Sequence, residues 1–357
     1  MKNYFDAAAT TPLHPEVQTV MQENFSFFGN ENSKHRHGFA AHKKQDQALQ
    51  KIADILGVAK NQLAISHSGT HGNQKVLWEA HKKFGRQNMF CSAVEHSSVL
   101  DEILPTNRFD PLGDFADIPT HAQFISLMRA NAETGTIFDT QTLREKFPHA
   151  IIHQDAVQAV GKTGLDFENA DIITMAPHKF YGPKMIGLIW MKKPQQWKSI
   201  SKDTHTKNCW LALGMSTAFE LLGTNNLSTQ NFESTPKLAQ IKHWQTQIEQ
   251  HIRQTIPDSK IRHADLPRVP GIINVSFKNI RGGQLAQMLS DQEQICVSTG
   301  SACTNDILQP TTTIQFFEKN PDWQFPLRIS LHSFLTDESV QNFCEALTHY
   351  CQTIRQQ

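Results

Sequence analysis

Lys179 occupies a position in this sequence that suggests a reactive amine. It stands in APHKFYGPK (176–184), directly after the apolar run DIITMA (171–176). Ligands bind at the carboxyl ends of strands in open parallel sheets, and a partly desolvated lysine there has a lowered pKa and can condense with an aldehyde. An ordinary surface lysine is the alternative that this segment alone leaves open.

Asp155 gives Lys179 a chemical counterpart. It ends an apolar run in HAIIHQDA (149–156), and Gln158 follows three residues later. The ordinary role of such a carboxylate is a helix cap or a turn. Pyridoxal phosphate (PLP), however, requires a carboxylate that faces its protonated ring nitrogen, because the charged ring is the electron sink. Gln158 could then donate a hydrogen bond to the ring hydroxyl oxygen.

The segment HSGTHGN (67–73) lies between a predicted strand and a predicted helix. Backbone amides at a helix start, next to small residues, bind anions. Gly69 and Thr70 are therefore the candidate phosphate ligands, while a plain N-cap is the alternative. His96 follows another predicted strand, where it could lie flat on the cofactor ring and shuttle protons.

Two residues of the C-terminal third could act on a substrate. Cys303 lies among small polar residues in STGSAC (298–303), which predicts an exposed, nucleophilic thiol, whereas the other five cysteines lie in apolar stretches. Arg328 lies in the strand-like run LRISLH, where a buried guanidinium needs an anion. A substrate carboxylate would supply one, and an internal salt bridge is the equal alternative.

The predicted scaffold is an α/β sheet. Strand-like and helix-like patterns alternate through the first two thirds, which implies a largely parallel sheet covered on both faces. The strand candidates are 62–66, 87–94, 122–130, 149–156, 171–176 and 185–192. The C-terminal part predicts a smaller α+β domain after a long helix at about 231–253. The interval 304–322 lacks clear periodicity and is predicted to be a functional or mobile loop.

Composition excludes several classes of function. The formal net charge is zero over 357 residues, which gives no reason to expect nucleic acid or an anionic membrane as the main partner. No apolar run reaches the roughly 20 residues of a spanning helix, and the first residues lack a signal-peptide core. We therefore expect a cytoplasmic protein with reduced cysteines, and the absence of CxxC pairs predicts no metal site.

Taken together, these segments resemble the NifS/IscS-type cysteine desulfurases of the class V aminotransferase family. The resemblance extends over nearly the whole chain, in nine ordered stretches. They are YFDAAATTPLHPEV (4–17), GNENSKHRHG (29–38), SGTHGN (68–73), EHSSVLD (95–101), NAETG (131–135), DAVQAVGK (155–162), HKFYGPK (178–184), STGSAC (298–303) and LRISL (327–331).

The resemblance implies PLP-dependent transferase fold type I. Its large three-layer domain, with a mainly parallel seven-stranded sheet, would span residues 13–255. A smaller α+β domain would comprise 1–12 plus 256–357 and carry the cysteine loop and Arg328. Lys179 would hold the cofactor as a Schiff base.

The resemblance also assigns the remaining roles. Asp155 would pair with the ring nitrogen, Gln158 with the ring hydroxyl, and His96 would stack on the ring. The phosphate would be held by Gly69, Thr70 and His178, and by Thr206 of a neighbouring subunit, which implies a homodimer. Asn131 and Arg328 would bind L-cysteine. Cys303 would take its sulfur as a persulfide for an acceptor protein in iron–sulfur assembly or RNA thiolation, and alanine would leave.

Several positions depart from the family pattern. Ala132 replaces an asparagine expected at the substrate, His71 a glutamate, and Ala176 a phosphate-binding serine. Each lost hydrogen bond to a charged group could cost about 1.5–3 kcal/mol of binding. Two alternatives follow: a related PLP reaction on selenocysteine, cysteine sulfinate or an aminotransferase substrate, or a degenerate homologue that serves as a binding or regulatory subunit.

Overall fold

The computed structural model describes residues 2–201, 207–223, 227–229, 234–300 and 309–356. The chain packs as two compact units. The large unit comprises Pro12–Arg129 and Phe138–Glu233, and the small unit comprises Met1–Thr11, Ala130–Ile137 and Ser234–Gln357. In the described ranges, no helix is both long enough and apolar enough to cross a bilayer.

The large unit alternates helices and strands along the chain. Its helices are α1 (Pro15–Glu23), α2 (Arg36–Leu56), α3 (Gly69–Phe84), α4 (Ser97–Leu100), α5 (Thr140–Lys146), α6 (Lys198–Ser201) and α7 (Cys209–Glu220). Its strands are β1 (Leu63–Ser66), β2 (Met89–Ser92), β3 (Arg108–Phe109), β4 (Phe124–Ser126), β5 (Ile151–Asp155), β6 (Ile172–Met175) and β7 (Gly187–Met191). Each strand predicted from the sequence is present.

Within the described residues, these seven strands form one sheet in the order β1-β7-β6-β5-β4-β2-β3. Strands β2 to β6 run parallel to one another, and β7 is antiparallel to both β1 and β6. All residues of β1, β2, β4, β6 and β7 are buried, as expected of continuous apolar strands covered on both faces. The predicted α/β fold with a mainly parallel sheet is confirmed.

This topology brings the carboxyl ends of β1, β2, β5 and β6 to the same edge of the sheet. Helix α3 packs against the sheet through Val76, Leu77 and Ala80. These residues share a buried apolar cluster with Ile172 of β6 and Ile189 of β7. The packing fixes where α3 begins relative to the strand ends. The sheet edge is therefore a rigid platform for polar side chains.

The small unit contains a three-stranded antiparallel sheet, β10-β9-β8, formed by β8 (Ser259–Ile261), β9 (Ile272–Phe277) and β10 (Leu327–Ser330). Its helices are α8 (Pro236–Thr255), α9 (Gly282–Glu293), α10 (Thr312–Phe317) and α11 (Asp337–Gln356). Thus the described part of the interval 304–322, predicted to be an irregular loop, contains a short helix. Thr311 caps it by accepting a hydrogen bond from Ile314 N.

Helix α8 and residues 130–137 lie in the small unit. The domain boundaries implied by the resemblance had left both in the large domain. The apolar stripe of α8, which includes Trp244, Ile248 and Ile252, shares one buried core with Phe343 and Leu347 of α11. The period of that stripe predicts a helix but does not indicate which sheet the helix covers.

The small-unit core generates a stability prediction. Phe343 is completely buried, and its ring stacks on that of Phe5 with 4.5 Å between centroids. We expect Phe343→Ala to lower the free energy of unfolding by about 3–5 kcal/mol, because it leaves a cavity. Urea titration measures the change. Phe39→Ala, at an exposed phenylalanine, is the control. Equal effects of the two substitutions would contradict this description of the core.

Candidate active site

Lys179 lies where β6 gives way to a tight turn. Residues Pro177–Lys179 form one turn of 3₁₀ helix, and Lys179 is half-buried. The backbone that follows is unusual, since Tyr181 has a φ of 67°. That conformation is held because Tyr181 O accepts a hydrogen bond from His14 N at 3.0 Å and Gly182 N donates to Pro177 O at 2.9 Å. Strained backbone that its surroundings hold in place is common at functional sites.

Asp155 ends β5, the strand next to β6. Its side chain is 6% exposed, and both carboxylate oxygens accept hydrogen bonds. Asn73 Nδ2 donates to Oδ2 at 2.7 Å, and Val157 N donates to Oδ1 at 2.9 Å. A buried carboxylate needs such partners, because burial without them is costly. Its orientation is thus fixed at the edge of the sheet.

The start of α3 lies between the ends of β5 and β6. A Cβ added to Gly69 would lie 2.8 Å from Val157 Cγ2 and 3.2 Å from Ala176 Cβ. Only glycine allows the helix to begin this close to both strand ends. Ser68 caps the helix by accepting from His71 N at 3.0 Å, and Thr70 is exposed in the first turn. The predicted N-cap and the predicted anion site therefore coincide in this turn.

His96 is joined to Asp155 by a chain of hydrogen bonds. His96 Nδ1 is 2.8 Å from Ser98 Oγ and accepts from Ser98 N at 3.2 Å. Asn73 Nδ2 donates to the same Ser98 Oγ at 3.0 Å and also to Asp155. The sequence reasoning missed Asn73 and Ser98, although Asn73 lies one helical turn after Gly69.

His178 lies in a strongly positive environment. Burial first, and then the charges of Lys179, Lys184 and Lys162, lower the pKa of His178 to about 3. The imidazole is therefore neutral, and the lysines supply the positive charge. Lys162 Nζ also donates to Gln158 Oε1 at 3.1 Å, which orients that buried carboxamide.

These residues complement the two oppositely charged ends of pyridoxal 5′-phosphate. The lysines around His178 and the amides that begin α3 suit the phosphate group. The buried carboxylate of Asp155 suits a protonated ring nitrogen. Gly69 lets those amides lie close to the ends of β5 and β6. Lys179, half-buried beside this charge cluster, can supply the amine.

Glu95 is a second buried carboxyl group near Asp155. Burial first, and then the charge of Asp155, raise the pKa of Glu95 to about 8, although Met128 N donates to Oε1 at 2.6 Å. The other oxygen, Oε2, is buried as well. At neutral pH Glu95 keeps its proton, so it adds no second negative charge beside Asp155.

The predicted substrate residues lie in the small unit. Arg328, on β10, is 1% exposed; Nη2 donates to Asp6 Oδ1 at 2.7 Å and Nη1 to Ala132 O at 3.2 Å. The salt bridge that the sequence left open is therefore formed. Asn131 is buried, and its Oδ1 accepts from Glu133 N and Thr134 N. Substrate binding by Arg328 and Asn131 remains a prediction.

The cysteines require one correction. Cys91, Cys209, Cys344 and Cys351 are buried, but Cys296 is exposed, although the sequence placed it in an apolar stretch. The neighbouring residue Ile295 is buried, so Ile295 faces the core and Cys296 faces the surface. Cys303 and Thr206 lie outside the described residues.

The structure shows the local contacts of the three residues that depart from the family pattern. Ala132 contributes its carbonyl oxygen to Arg328, which any residue could do. His71 Nδ1 accepts from His67 N at 3.2 Å, and the two rings lie 5.0 Å apart. Ala176 contacts the start of α3 and offers no hydroxyl group there.

Comparison with known proteins identifies relatives over the whole chain. The model of the class V aminotransferase family matches residues 3–343. Cysteine desulfurase IscS of Shewanella sp. strain ANA-3 is 26% identical, and a cysteine desulfurase of Nostoc sp. strain PCC 7120 is 25% identical. Each alignment covers 99% of this chain and 93% of the relative.

Solved structures show the same fold. A NifS-like protein superposes with a TM-score of 0.80 at 24% identity, covering 99% of this chain and 100% of the other. A structure described as SspA in complex with cysteine gives a TM-score of 0.74 at 22% identity, covering 94% of this chain and 100% of the other. These likenesses confirm the predicted fold type.

The raised pKa of Glu95 generates a prediction about pH. Because the folded-state pKa lies above the usual 4.5, the stability linked to Glu95 is present below about pH 4.5 and is lost as the pH rises through about 8. We expect wild-type protein to lose at least about 1 kcal/mol relative to Glu95→Gln between about pH 5 and pH 9. Urea unfolding without cofactor measures this. Glu345→Gln, at an exposed glutamate, should follow wild type; a parallel Glu95→Gln curve would contradict the assignment.

Proposed function

The chain belongs to the class V aminotransferase family, and we propose that it is a PLP-dependent cysteine desulfurase that converts L-cysteine to L-alanine. One observation carries the proposal: Asp155 ends β5, Lys179 follows the neighbouring parallel strand β6, and the start of α3 packs against Val157 and Ala176 at those two strand ends. The curated relatives named cysteine desulfurase, aligned over 99% of the chain, support the choice of substrate.

In the proposed reaction, PLP supplies an electron-accepting ring that stabilises negative charge at the substrate α-carbon. Asp155 would hold the proton on the ring nitrogen, and Gln158 would donate to the ring hydroxyl oxygen. Gly69, Thr70 and His178 would hold the phosphate, within the field of the lysines that act on His178. Such contacts would orient the cofactor before the substrate reacts.

The side chains then act on the substrate in order. The Lys179 amine takes the proton from the α-carbon, and His96, oriented by Ser98, is the proton shuttle for the substrate thiol. The Cys303 thiolate attacks the substrate Sγ. An S–S bond forms as the Cβ–Sγ bond breaks, and the electron pair and a proton pass to the carbon that becomes the alanine methyl group.

Other parts of the proposal depend on the family relationship. Arg328 and Asn131 would bind the substrate, with the Arg328 guanidinium meeting its carboxylate. Thr206 would reach the phosphate of a second subunit in a homodimer. The persulfide on Cys303 would pass to an iron–sulfur scaffold or a thiolation enzyme in the cytoplasm.

Cofactor loading has a direct spectroscopic test. We expect protein purified with PLP to show the visible absorbance band of a lysine-bound cofactor, and Lys179→Ala to lose that band because no amine remains to condense. Lys184→Ala should keep the band but bind the cofactor more weakly, since it removes one positive charge near His178. An unchanged band in Lys179→Ala would refute the assignment of the lysine.

The sulfur-transfer step is tested with a matched pair of cysteine variants. L-Cysteine should yield alanine and sulfide from wild-type protein. We expect Cys303→Ala to lose at least about 100-fold in rate, because it removes the nucleophile. Cys296→Ala, which removes the exposed thiol of the described residues, should keep wild-type rates. Full turnover in Cys303→Ala would favour a lyase reaction that needs no persulfide.

A further inference from the structure

We propose that Glu133, together with Thr311, is a positioning pair that ties the two ends of the segment carrying Cys303 to the turn that contacts Arg328. The inference concerns residues of the small unit alone. It rests on the proposed function only where Cys303 is taken as the sulfur acceptor. Glu133 was noted in the sequence only as part of NAETG (131–135).

The direction of the Glu133 side chain is set by a tight turn. Asn131 Oδ1 accepts from Glu133 N at 2.9 Å and from Thr134 N at 3.0 Å. The turn closes where Gly135 N donates to Asn131 O at 3.0 Å, with a φ of 75° at Gly135. Side-chain acceptance of this kind fixes a local backbone shape. NAETG is therefore a rigid support for the carboxylate.

The far end of the segment is bound directly to Glu133. Thr311 Oγ1 donates to Glu133 Oε2 at 2.6 Å, and both residues are buried. Hydrogen bonds to carboxylates are short and strong, and buried ones are costly to break. Because Thr311 also caps α10, this contact fixes the position from which the chain enters that helix.

The near end reaches the same two side chains. A Cβ added to Gly300 would lie 2.7 Å from Thr311 Cγ2 and 3.0 Å from Glu133 Oε2. The Gly300 backbone therefore packs against the Glu133–Thr311 pair. Just before it, Ser298 and Arg328 exchange two backbone hydrogen bonds, at 3.1 and 2.6 Å. The two ends of the intervening segment are thus held together beside β10.

Arg328 completes the arrangement from the other side. Its Nη1 donates to Ala132 O, in the same turn. Burial raises the pKa of Glu133, and the hydrogen bond from Thr311 and the charge of Arg328 partly offset that effect. Cys303 is three residues beyond Gly300 in the sequence. One turn therefore sets both the origin of the Cys303 segment and the position of the guanidinium.

Hydrogen exchange tests the pair without any catalytic readout. We expect Glu133→Gln and Thr311→Val each to raise amide exchange about tenfold at both 296–300 and 309–316, with the rest of the small unit unchanged. Thr311→Ser, which keeps the hydroxyl group, should restore wild-type exchange. Thr312→Val changes the adjacent, exposed threonine and should have no effect. If amide exchange rose only at 309–316 in both variants, Thr311 would act only as a helix cap, and the proposal would be overturned.

A kinetic measurement distinguishes positioning from general destabilisation. On mixing with L-cysteine, the Glu133→Gln holoenzyme should form the Cys303 persulfide about tenfold more slowly than wild type. Its visible spectrum and its half-saturating L-cysteine concentration should be unchanged. A wild-type rate in Glu133→Gln, or an equal slowing in Thr312→Val, would refute a positioning role. Absence of persulfide in wild-type protein would refute the proposed function, while the exchange measurement would still decide whether the pair exists.

Discussion

The buried carboxylate of Asp155 is the constraint on which the rest of the site depends. At 6% exposure it needs compensating contacts, and it receives them from Asn73 on α3 and from the backbone of Val157. Those contacts require α3 to begin close to the ends of β5 and β6, and Gly69 makes that approach possible. The same Asn73 then orders Ser98 and, through it, His96. One carboxylate therefore links a helix start, two strand ends and an imidazole.

The large unit also separates opposite charges within one site. Asp155 provides the negative end, and Glu95 stays protonated beside it because a second negative charge there would be poorly solvated. The lysines around His178 provide the positive end. A molecule that is cationic at one end and doubly anionic at the other complements this distribution, which is the charge pattern of pyridoxal phosphate with a protonated ring. A metal site would not require positive and negative groups at opposite ends.

The sequence allowed prediction of the strands and of the residues that follow them, because both depend on short-range patterns. Apolar runs located β5 and β6, and the position after each run identified Asp155 and Lys179. Other contacts depend on packing between distant segments. The Asp6–Arg328 ion pair joins residues 322 positions apart. Helix α8 packs into a core that it shares with α11. No local pattern distinguishes these partners from other acidic or apolar residues.

The departures from the family pattern lie among the residues that we propose bind the phosphate and the substrate. Ala176 offers no hydroxyl group at the start of α3, while Lys184 and Lys162, both within stretches that match the family, place positive charge around His178. Ala132 removes an amide side chain, yet its carbonyl oxygen still orients Arg328. Because backbone contacts survive substitution, the turn 131–135 can retain its positioning role even where the side chain at 132 has changed.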